Sequence, residues 1–193
     1  MFLESFLIIY FSYLLGSIPS GVIFAKLFSL GELNKIGSGN TGATNVLRTG
    51  NYWAAGSTLL VDFFKAYIAI SICNIINGDL IILSATFILL GHIFPIWIEN
   101  LKGGKGFASL LGILFALNTT LMIFVCIIWL IIFIKSKISS VSTLISANLS
   151  SFYSLIFLDL ASSFALLFLN LIIIFSHQEN IKRLIKGTEG KIL

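Results

Sequence analysis

Apolar residues form long runs, and the polar residues gather in short breaks between them. Read as elements, the runs are Phe2 to Phe28, Tyr52 to Ile76, Leu80 to Ile98, Gly106 to Leu117, Leu121 to Ile134, Ile138 to Leu149 and Phe152 to Phe175. A bilayer core of roughly 30 Å needs about 20 helical residues, so four runs are long enough to cross it and three are short. The stretch from Gly106 to Ile134 reads either as one long tilted span or as two short helices turning at Asn118, Thr119 and Thr120. The serine-rich segment from Ile138 to Leu149 reads as a short span or a loop. Seven or five crossings follow.

The distribution of basic residues separates these arrangements, because Lys and Arg collect in cytoplasmic loops. With seven spans, Lys35, Arg48, Lys102, Lys105, Lys135, Lys137, Lys182, Arg183, Lys186 and Lys191 all fall on one side and none on the other. Merging Gly106 to Ile134 into one span would push Lys135 and Lys137 outward. The pattern therefore predicts an all-α integral membrane protein of seven transmembrane helices, some short, with the N-terminus outside and the C-terminus cytoplasmic. Five crossings is the alternative. The expected organisation is a single membrane-embedded domain over residues 1–193. The apolar stretch from Met1 to Leu15 lacks the basic n-region and cleavage pattern of a signal peptide, so a retained first span is expected.

Composition narrows the class. The 193 residues are 58% hydrophobic and 10% charged, with a mean hydropathy of +1.04. Twelve basic and eight acidic residues stand where a soluble domain of this length would carry about 48 charges. A soluble enzyme, a disordered chain and a nucleic-acid binder are excluded. Cys73 and Cys126 lie within apolar runs and read as buried small hydrophobes. With no clustered ligand residues, neither a metal nor a cofactor is expected.

Three polar, glycine-rich stretches fall on the basic side. The first runs from Lys35 to Arg48 and contains Gly37-Ser38-Gly39-Asn40-Thr41-Gly42. Its glycines permit tight turns that aim N–H groups at an anion, and Ser38, Asn40, Thr44, Asn45 and Arg48 add side-chain donors. Residues 37–42 also match the GxGxxG dinucleotide pattern, with Asp62 twenty residues beyond. That pattern requires a strand before it in a βαβ unit, whereas this loop joins two membrane spans. The second stretch, Lys102-Gly103-Gly104-Lys105-Gly106, opens an apolar helix, and its lysines, flexible backbone and helix N-terminus suit a second anion. It is no P-loop, because Gly106 follows Lys105 and Glu99 stands at the first glycine position. Contact with anionic lipid is the competing reading of any basic loop here.

The third stretch, His177 to Glu189, follows the last span; if helical, it puts His177 and Asn180 on one face at i and i+3. A lipid-facing anchor is the alternative for such a basic juxtamembrane helix. His92 sits near the inner end of the third run and reads as structural. Asp62 and Lys65 stand one turn apart inside a span, where an ion is costly unless paired, so a structural pair or the floor of a polar site is expected.

Together these residues resemble the bacterial acyl-phosphate:glycerol-3-phosphate acyltransferases of the PlsY type. The resemblance covers Gly16-Ser17-Ile18-Pro19-Ser20-Gly21, the stretch Gly37 to Arg48, Gly91-His92 with Pro95 through Gly106, and His177 with Asn180-Ile181, Arg183-Leu184, Gly187 and Glu189. Thr41, Leu101 and Thr143 depart from the family pattern without removing a charged or hydrogen-bonding group. The resemblance implies transfer of a fatty acyl group from acyl phosphate to the 1-hydroxyl of sn-glycerol 3-phosphate. The products would be 1-acylglycerol 3-phosphate and phosphate, in the first acylation of phospholipid synthesis.

Roles also follow from the resemblance. Lys105, His177 and Arg48 are the expected catalytic groups. Ser38, Gly39, Asn40, Asn45, Arg48, Gly103, Gly104, Lys105, Ser140, Ser142, His177 and Asn180 are the expected substrate contacts, and Asp62, Lys65 and Glu189 are structural. Arg48 suits a two-point phosphate contact, and Lys105 suits charge developing on the leaving phosphate or the oxyanion. The His-x4-Asp pairing of soluble-domain acyltransferases is absent, since Trp97 follows His92 and Lys182 follows His177 at that distance. The base is then His177 or a substrate phosphate oxygen, with the phosphate preferred. Expected partners are acyl phosphate, glycerol 3-phosphate, membrane lipids and the enzyme that supplies acyl phosphate. The expected location is the bacterial cytoplasmic (inner) membrane, with the site facing the cytoplasm. The competing class is a small anion channel or transporter, which would spread polar residues through the spans in an inverted repeat.

Overall fold

The computed structural model describes residues 2–99 and 102–192. Met1 of the expected first span and the departure at Leu101 lie outside the described residues. Every long regular element among them is an α-helix: α1 (Phe2–Gly16), α2 (Ser20–Leu27), α3 (Ala43–Leu47), α4 (Tyr52–Asn77), α5 (Ile81–Ile93), α6 (Phe107–Leu117), α7 (Thr119–Ser136), α8 (Ser139–Phe157), α9 (Leu160–Ser176) and α10 (Gln178–Ile185). The chain forms two compact units, one ending at Ala116 and the other beginning at Leu117.

In the first unit the expected span Phe2 to Phe28 is broken into α1 and α2. Pro19 cannot donate a backbone bond and disfavours helical geometry at Ile18, so the chain turns over Ser17 to Pro19 and resumes with Ile23 N–H donating to the Pro19 carbonyl at 3.0 Å. Asn51 caps α4 by accepting from Ala54 N–H at 2.9 Å. After a 3-10 turn at Gly78–Leu80, α5 folds back on α4 and also packs on α1. Contact between α1 and α5 is backbone-close. A Cβ on Gly16 would run into the Ile88 carbonyl, and one on Gly91 into the Tyr13 carbonyl. Beside them Ser12 and Ser84 share a 2.8 Å hydrogen bond. Small residues allow this approach, which is how helices associate where lipid offers no hydrophobic drive. α5 ends at Ile93, short of the expected Ile98, because the next residues turn at Pro95.

In the second unit Asn118 caps α7 through Leu121 N–H at 2.8 Å, so the Gly106 to Ile134 stretch is two helices turning at Asn118. α7 ends at Lys137, whose φ of +58° and N–H bond to the Phe133 carbonyl make a left-handed cap. The serine-rich segment is helix: α8 runs through to Phe157, and the next turn lies at Leu158 and Asp159. Serine is tolerated there because its hydroxyls find partners, several of them within the same helix. Ser142 donates to the Ile138 carbonyl at 3.0 Å, Ser150 to Ala147 at 2.6 Å and Ser154 to Ser151 at 2.8 Å. Across the seam Asn170 of α9 donates to the Ala147 carbonyl at 2.6 Å and to Ser151 Oγ at 2.8 Å. α9 meets α10 at a 62° bend at His177.

Both units bury small and polar residues and expose apolar ones. On α7 Ile123, Ile127, Leu130 and Ile134 face outward, whereas Ser146, Ser150 and Asn170 are inside. By length and composition four helical stretches among the described residues suffice to cross a membrane, at Phe2–Leu27, Tyr52–Ile93, Thr119–Ser136 and Ser139–Phe157, or five when α9 and α10 count as one bent span.

Candidate active site

The first glycine loop is folded around one side chain. Asn45, 1% exposed, donates from Nδ2 to the carbonyls of Leu33 at 3.0 Å and Asn40 at 2.8 Å. Its Oδ1 accepts from Ser38 N–H at 3.0 Å, Ser38 Oγ at 3.3 Å and Arg48 Nη1 at 3.4 Å. Both donors of Asn45 are therefore engaged inside the loop, and the amide fixes Ser38 beside Arg48. Gly37 lies under the Arg48 side chain: it has a φ of +50°, and a Cβ there would stand 2.6 Å from Arg48 Cδ. Asn40 is buried and Gly39, at φ +71°, closes the turn by donating to the Ile36 carbonyl at 2.9 Å. Below, Val46 packs with Ala25, Leu33, Ala54 and Ala55. The loop seats on α2 at Gly21, where a Cβ would run into the Thr41 carbonyl.

The second glycine loop lies beside the first. Thr41 N–H donates to the Gly103 carbonyl at 3.4 Å, and a Cβ on Gly42 would stand 3.8 Å from Gly104 Cα. Gly103 N–H donates to the Ile93 carbonyl at 2.9 Å and Gly104 N–H to the His92 carbonyl at 3.1 Å. Gly106, at φ +84°, then turns the chain into α6, which leaves half-buried Lys105 at the mouth of that helix.

Beneath the loops is a buried ionic cluster. Asp62 Oδ1 accepts from Lys65 Nζ at 2.7 Å, Ser20 Oγ at 2.7 Å and His92 Nδ1 at 3.3 Å. Lys65 also donates to the Ile18 carbonyl at 3.0 Å, and Ser109 Oγ to the Asp62 carbonyl at 3.2 Å. Residues from α2, α4 and α5 thus share one carboxylate, and α6 is tied to the same residue through its backbone carbonyl. Multiple donors of this kind offset the desolvation of a buried ion pair.

The second unit holds another convergence, around Glu189. Its Oε1 accepts from Ser140 Oγ at 2.8 Å and Asn180 Nδ2 at 2.5 Å, and its Oε2 from Arg183 Nε at 2.6 Å. Burial pushes the Glu189 carboxyl up, but Arg183, Asn180 and Ser140 outweigh it and hold the group below the ordinary carboxylate range. The tail is fastened further by Ile192 N–H donating to the Lys137 carbonyl at 2.9 Å. His177, 3% exposed at the α9–α10 bend, places Nδ1 2.8 Å from the Ile173 carbonyl. A carbonyl can only accept, so Nδ1 carries a proton in this bond. Ser142 faces its own helix.

A family model described as glycerol-3-phosphate acyltransferase matches residues 6–187, nearly the whole chain. The chain belongs to the glycerol-3-phosphate acyltransferase family. A relative from Cereibacter sphaeroides (strain ATCC 17029) called glycerol-3-phosphate acyltransferase is 51% identical over 181 residues, covering 93% of this chain and 90% of its own. Another of that name, from Nitrobacter winogradskyi, is 40% identical across 100% of this chain and 98% of its own. Among solved structures, the glycerol 3-phosphate form of PlsY, an integral membrane glycerol 3-phosphate acyltransferase, superposes with a TM-score of 0.90 at 31% identity, over 97% of this chain and 94% of that one. The lysophosphatidic acid form of PlsY gives a TM-score of 0.87 at 29% identity with the same coverage.

Against this acyltransferase family background, the structure sorts the expected site residues into two groups. Ser38, Gly39, Asn40, Asn45, Arg48, Gly103, Gly104 and Lys105 gather in the first unit; Ser140, His177, Asn180 and Glu189 gather in the second. Three contributors were absent from the sequence reading of the site. Ser20 and His92 reach Asp62 from elements far away in sequence, and Arg183 completes the Glu189 clamp. For Arg183 a signal existed, since a basic residue six positions before an acidic one at the end of a helix can close a loop. Thr143, a departure from the family pattern, accepts from Trp129 Nε1 at 3.2 Å.

Proposed function

We propose that this chain transfers a fatty acyl group from acyl phosphate to the 1-hydroxyl of sn-glycerol 3-phosphate in the bacterial cytoplasmic membrane. Family membership carries the acceptor and the reaction class; two adjoining glycine loops bearing Arg48 and Lys105 support an acceptor and a donor that both present phosphate. The hydroxyl oxygen attacks the acyl carbonyl, a C–O bond forms, the mixed anhydride C–O bond breaks and inorganic phosphate leaves. Phosphate is already a good leaving group, so no covalent enzyme nucleophile is required. Ser38 and Arg48 bind phosphate, Arg48 through its planar fork. Lys105 neutralises charge developing on the phosphate or the oxyanion. Gly39, Asn40, Gly103 and Gly104 shape the anion-binding backbone.

In the second unit Ser140, His177 and Asn180 orient glycerol 3-phosphate, Ser142, whose hydroxyl is turned to the Ile138 carbonyl, supports that end of α8, and Glu189 holds Ser140 and Asn180 in place. The acceptor's own phosphate, whose second pKa lies near 6, takes the hydroxyl proton, with His177 as a binding group. Orientation follows the charge asymmetry: seven crossings, N-terminus outside, C-terminus and substrate-binding loops cytoplasmic. All four motifs belong to one acyltransferase domain, and the donor reaches it from a partner enzyme or through the membrane.

Purified protein in detergent, given acyl phosphate and glycerol 3-phosphate, should release phosphate and 1-acylglycerol 3-phosphate in equal amounts. Turnover with an acyl thioester but none with acyl phosphate would overturn the donor assignment. Absence of both products, with ion flux in proteoliposomes, would overturn the enzyme reading itself. The His177→Ala variant should regain most of its turnover at high glycerol 3-phosphate. Lost turnover at unchanged substrate affinity would instead make His177 the base.

A further inference from the structure

His92 stands outside the groups assigned to chemistry, yet it touches the anion loop on two sides. Its carbonyl accepts Gly104 N–H at 3.1 Å, and the next carbonyl, Ile93, accepts Gly103 N–H at 2.9 Å. Its ring lies directly behind Gly104: a Cβ there would fall onto Nε2, 2.7 Å from Cε1 and 3.2 Å from Cδ2. The ring is held in turn, because Nδ1 sits 3.3 Å from Asp62 Oδ1, and that oxygen is fixed by Lys65 and Ser20 at 2.7 Å each. The turn after His92 is pinned by Tyr13 Oη donating to the Phe94 carbonyl at 2.8 Å. On its other side the loop meets Thr41 and Gly42. The backbone of Gly103 and Gly104 is therefore clasped between a rigid imidazole and the first glycine loop, one residue before Lys105.

We propose that His92, locked by Asp62, is a positioning residue that sets where the Gly103–Lys105 loop meets a phosphate. A loop rich in glycine has no stiffness of its own, and a phosphate that must order such a loop on binding is held more weakly. The ring supplies the missing stiffness from behind. It touches neither substrate nor reacting atoms. This rests on the acyltransferase reading for which phosphate is bound, and the test separates the two.

The experiment measures inorganic phosphate binding by calorimetry, and steady-state kinetics with both substrates, for wild-type, His92→Asn, Gly104→Ala and the double variant, with thermal unfolding in parallel. His92→Asn keeps a donor for Asp62 but removes the ring atoms behind Gly104. It should weaken phosphate binding and raise KM about tenfold while kcat moves less than about threefold. Gly104→Ala should cost at least about fivefold less in the His92→Asn background than in wild-type, because the collision partner is gone. Equal cost in both backgrounds, or a kcat loss at unchanged KM, overturns the proposal. Should Gly104→Ala fail to fold, the KM-against-kcat split of His92→Asn decides alone. A wild-type chain that binds phosphate but transfers no acyl group overturns the function and leaves the coupling to be read from binding. A wild-type chain that binds no phosphate overturns the positioning role.

Discussion

Glu189→Gln isolates the charge in the clamp of the second unit. Glutamine retains one oxygen for Ser140 and Asn180 but turns an NH2 group toward Arg183 Nε–H, so one charge-assisted bond becomes a donor facing a donor. Such a bond is worth roughly 1.5–3 kcal/mol. Arg183 is 33% exposed and can rehydrate, which lowers the loss to about 1–2 kcal/mol. At roughly 2–4 °C per kcal/mol for a chain of this size, Tm in detergent should fall by about 2–8 °C. The pH dependence has a definite sign. The folded carboxyl titrates below the unfolded one, so its stabilisation is complete above the unfolded pKa of about 4.3 and is lost as pH falls through the folded value. The Tm gap between wild-type and variant should be widest near neutrality and narrow below about pH 4.3. A gap under about 1 °C at pH 7, or one that stays constant on acidification, would refute the reasoning.

Other substitutions probe the first unit. Lys65→Met leaves the Asp62 carboxylate buried without its cation and should cost about 3–5 kcal/mol in detergent unfolding, part of it recovered by adding Asp62→Asn. Asn45→Asp removes both donations to Leu33 and Asn40; unfolding should register a loss of about 1–3 kcal/mol, and a stability equal to wild-type would refute the brace. Arg48→Lys keeps the charge but loses the fork, so the KM of a phosphate-bearing substrate should rise about tenfold or more, and an unchanged KM would exclude a two-point contact.

Local patterns in the sequence were the readable part. The spacing of Asp62 and Lys65 puts them within one helical turn, and they meet at 2.7 Å. Glycine density marked both loops, because a left-handed φ at Gly37, Gly39 and Gly106 is expensive for any other residue. Distance in the chain hid the rest. His92 and Asp62 are joined only once α5 folds back on α4, and nothing in either segment announces the other. Asn45 looked like a ligand donor for the same reason that it is a good brace, since one amide both donates and accepts. The α8 boundary was misplaced because hydropathy counts each serine as polar, whereas a hydroxyl returned to its own helix presents little polarity outward.

That last point bears on how the protein enters the membrane. α8 has a mean hydropathy of 1.2 against 2.3 for α7. On the way into lipid, a lone α8 keeps much of its polarity bonded to its own backbone, as Asn148 does to the Leu144 carbonyl, but its partition from water would be weaker than that of α7. α7, with its isoleucine-rich outer face, can insert independently, and Asn170 gives α9 a hydrogen-bonding reason to close on the serine face. The second unit is therefore expected to enter as a helical hairpin or triplet, with α8 retained in the bilayer by its neighbours. The translocon would handle it with less margin than α7, and an α8 segment transplanted alone into a host protein should insert less completely than α7 does in the same position.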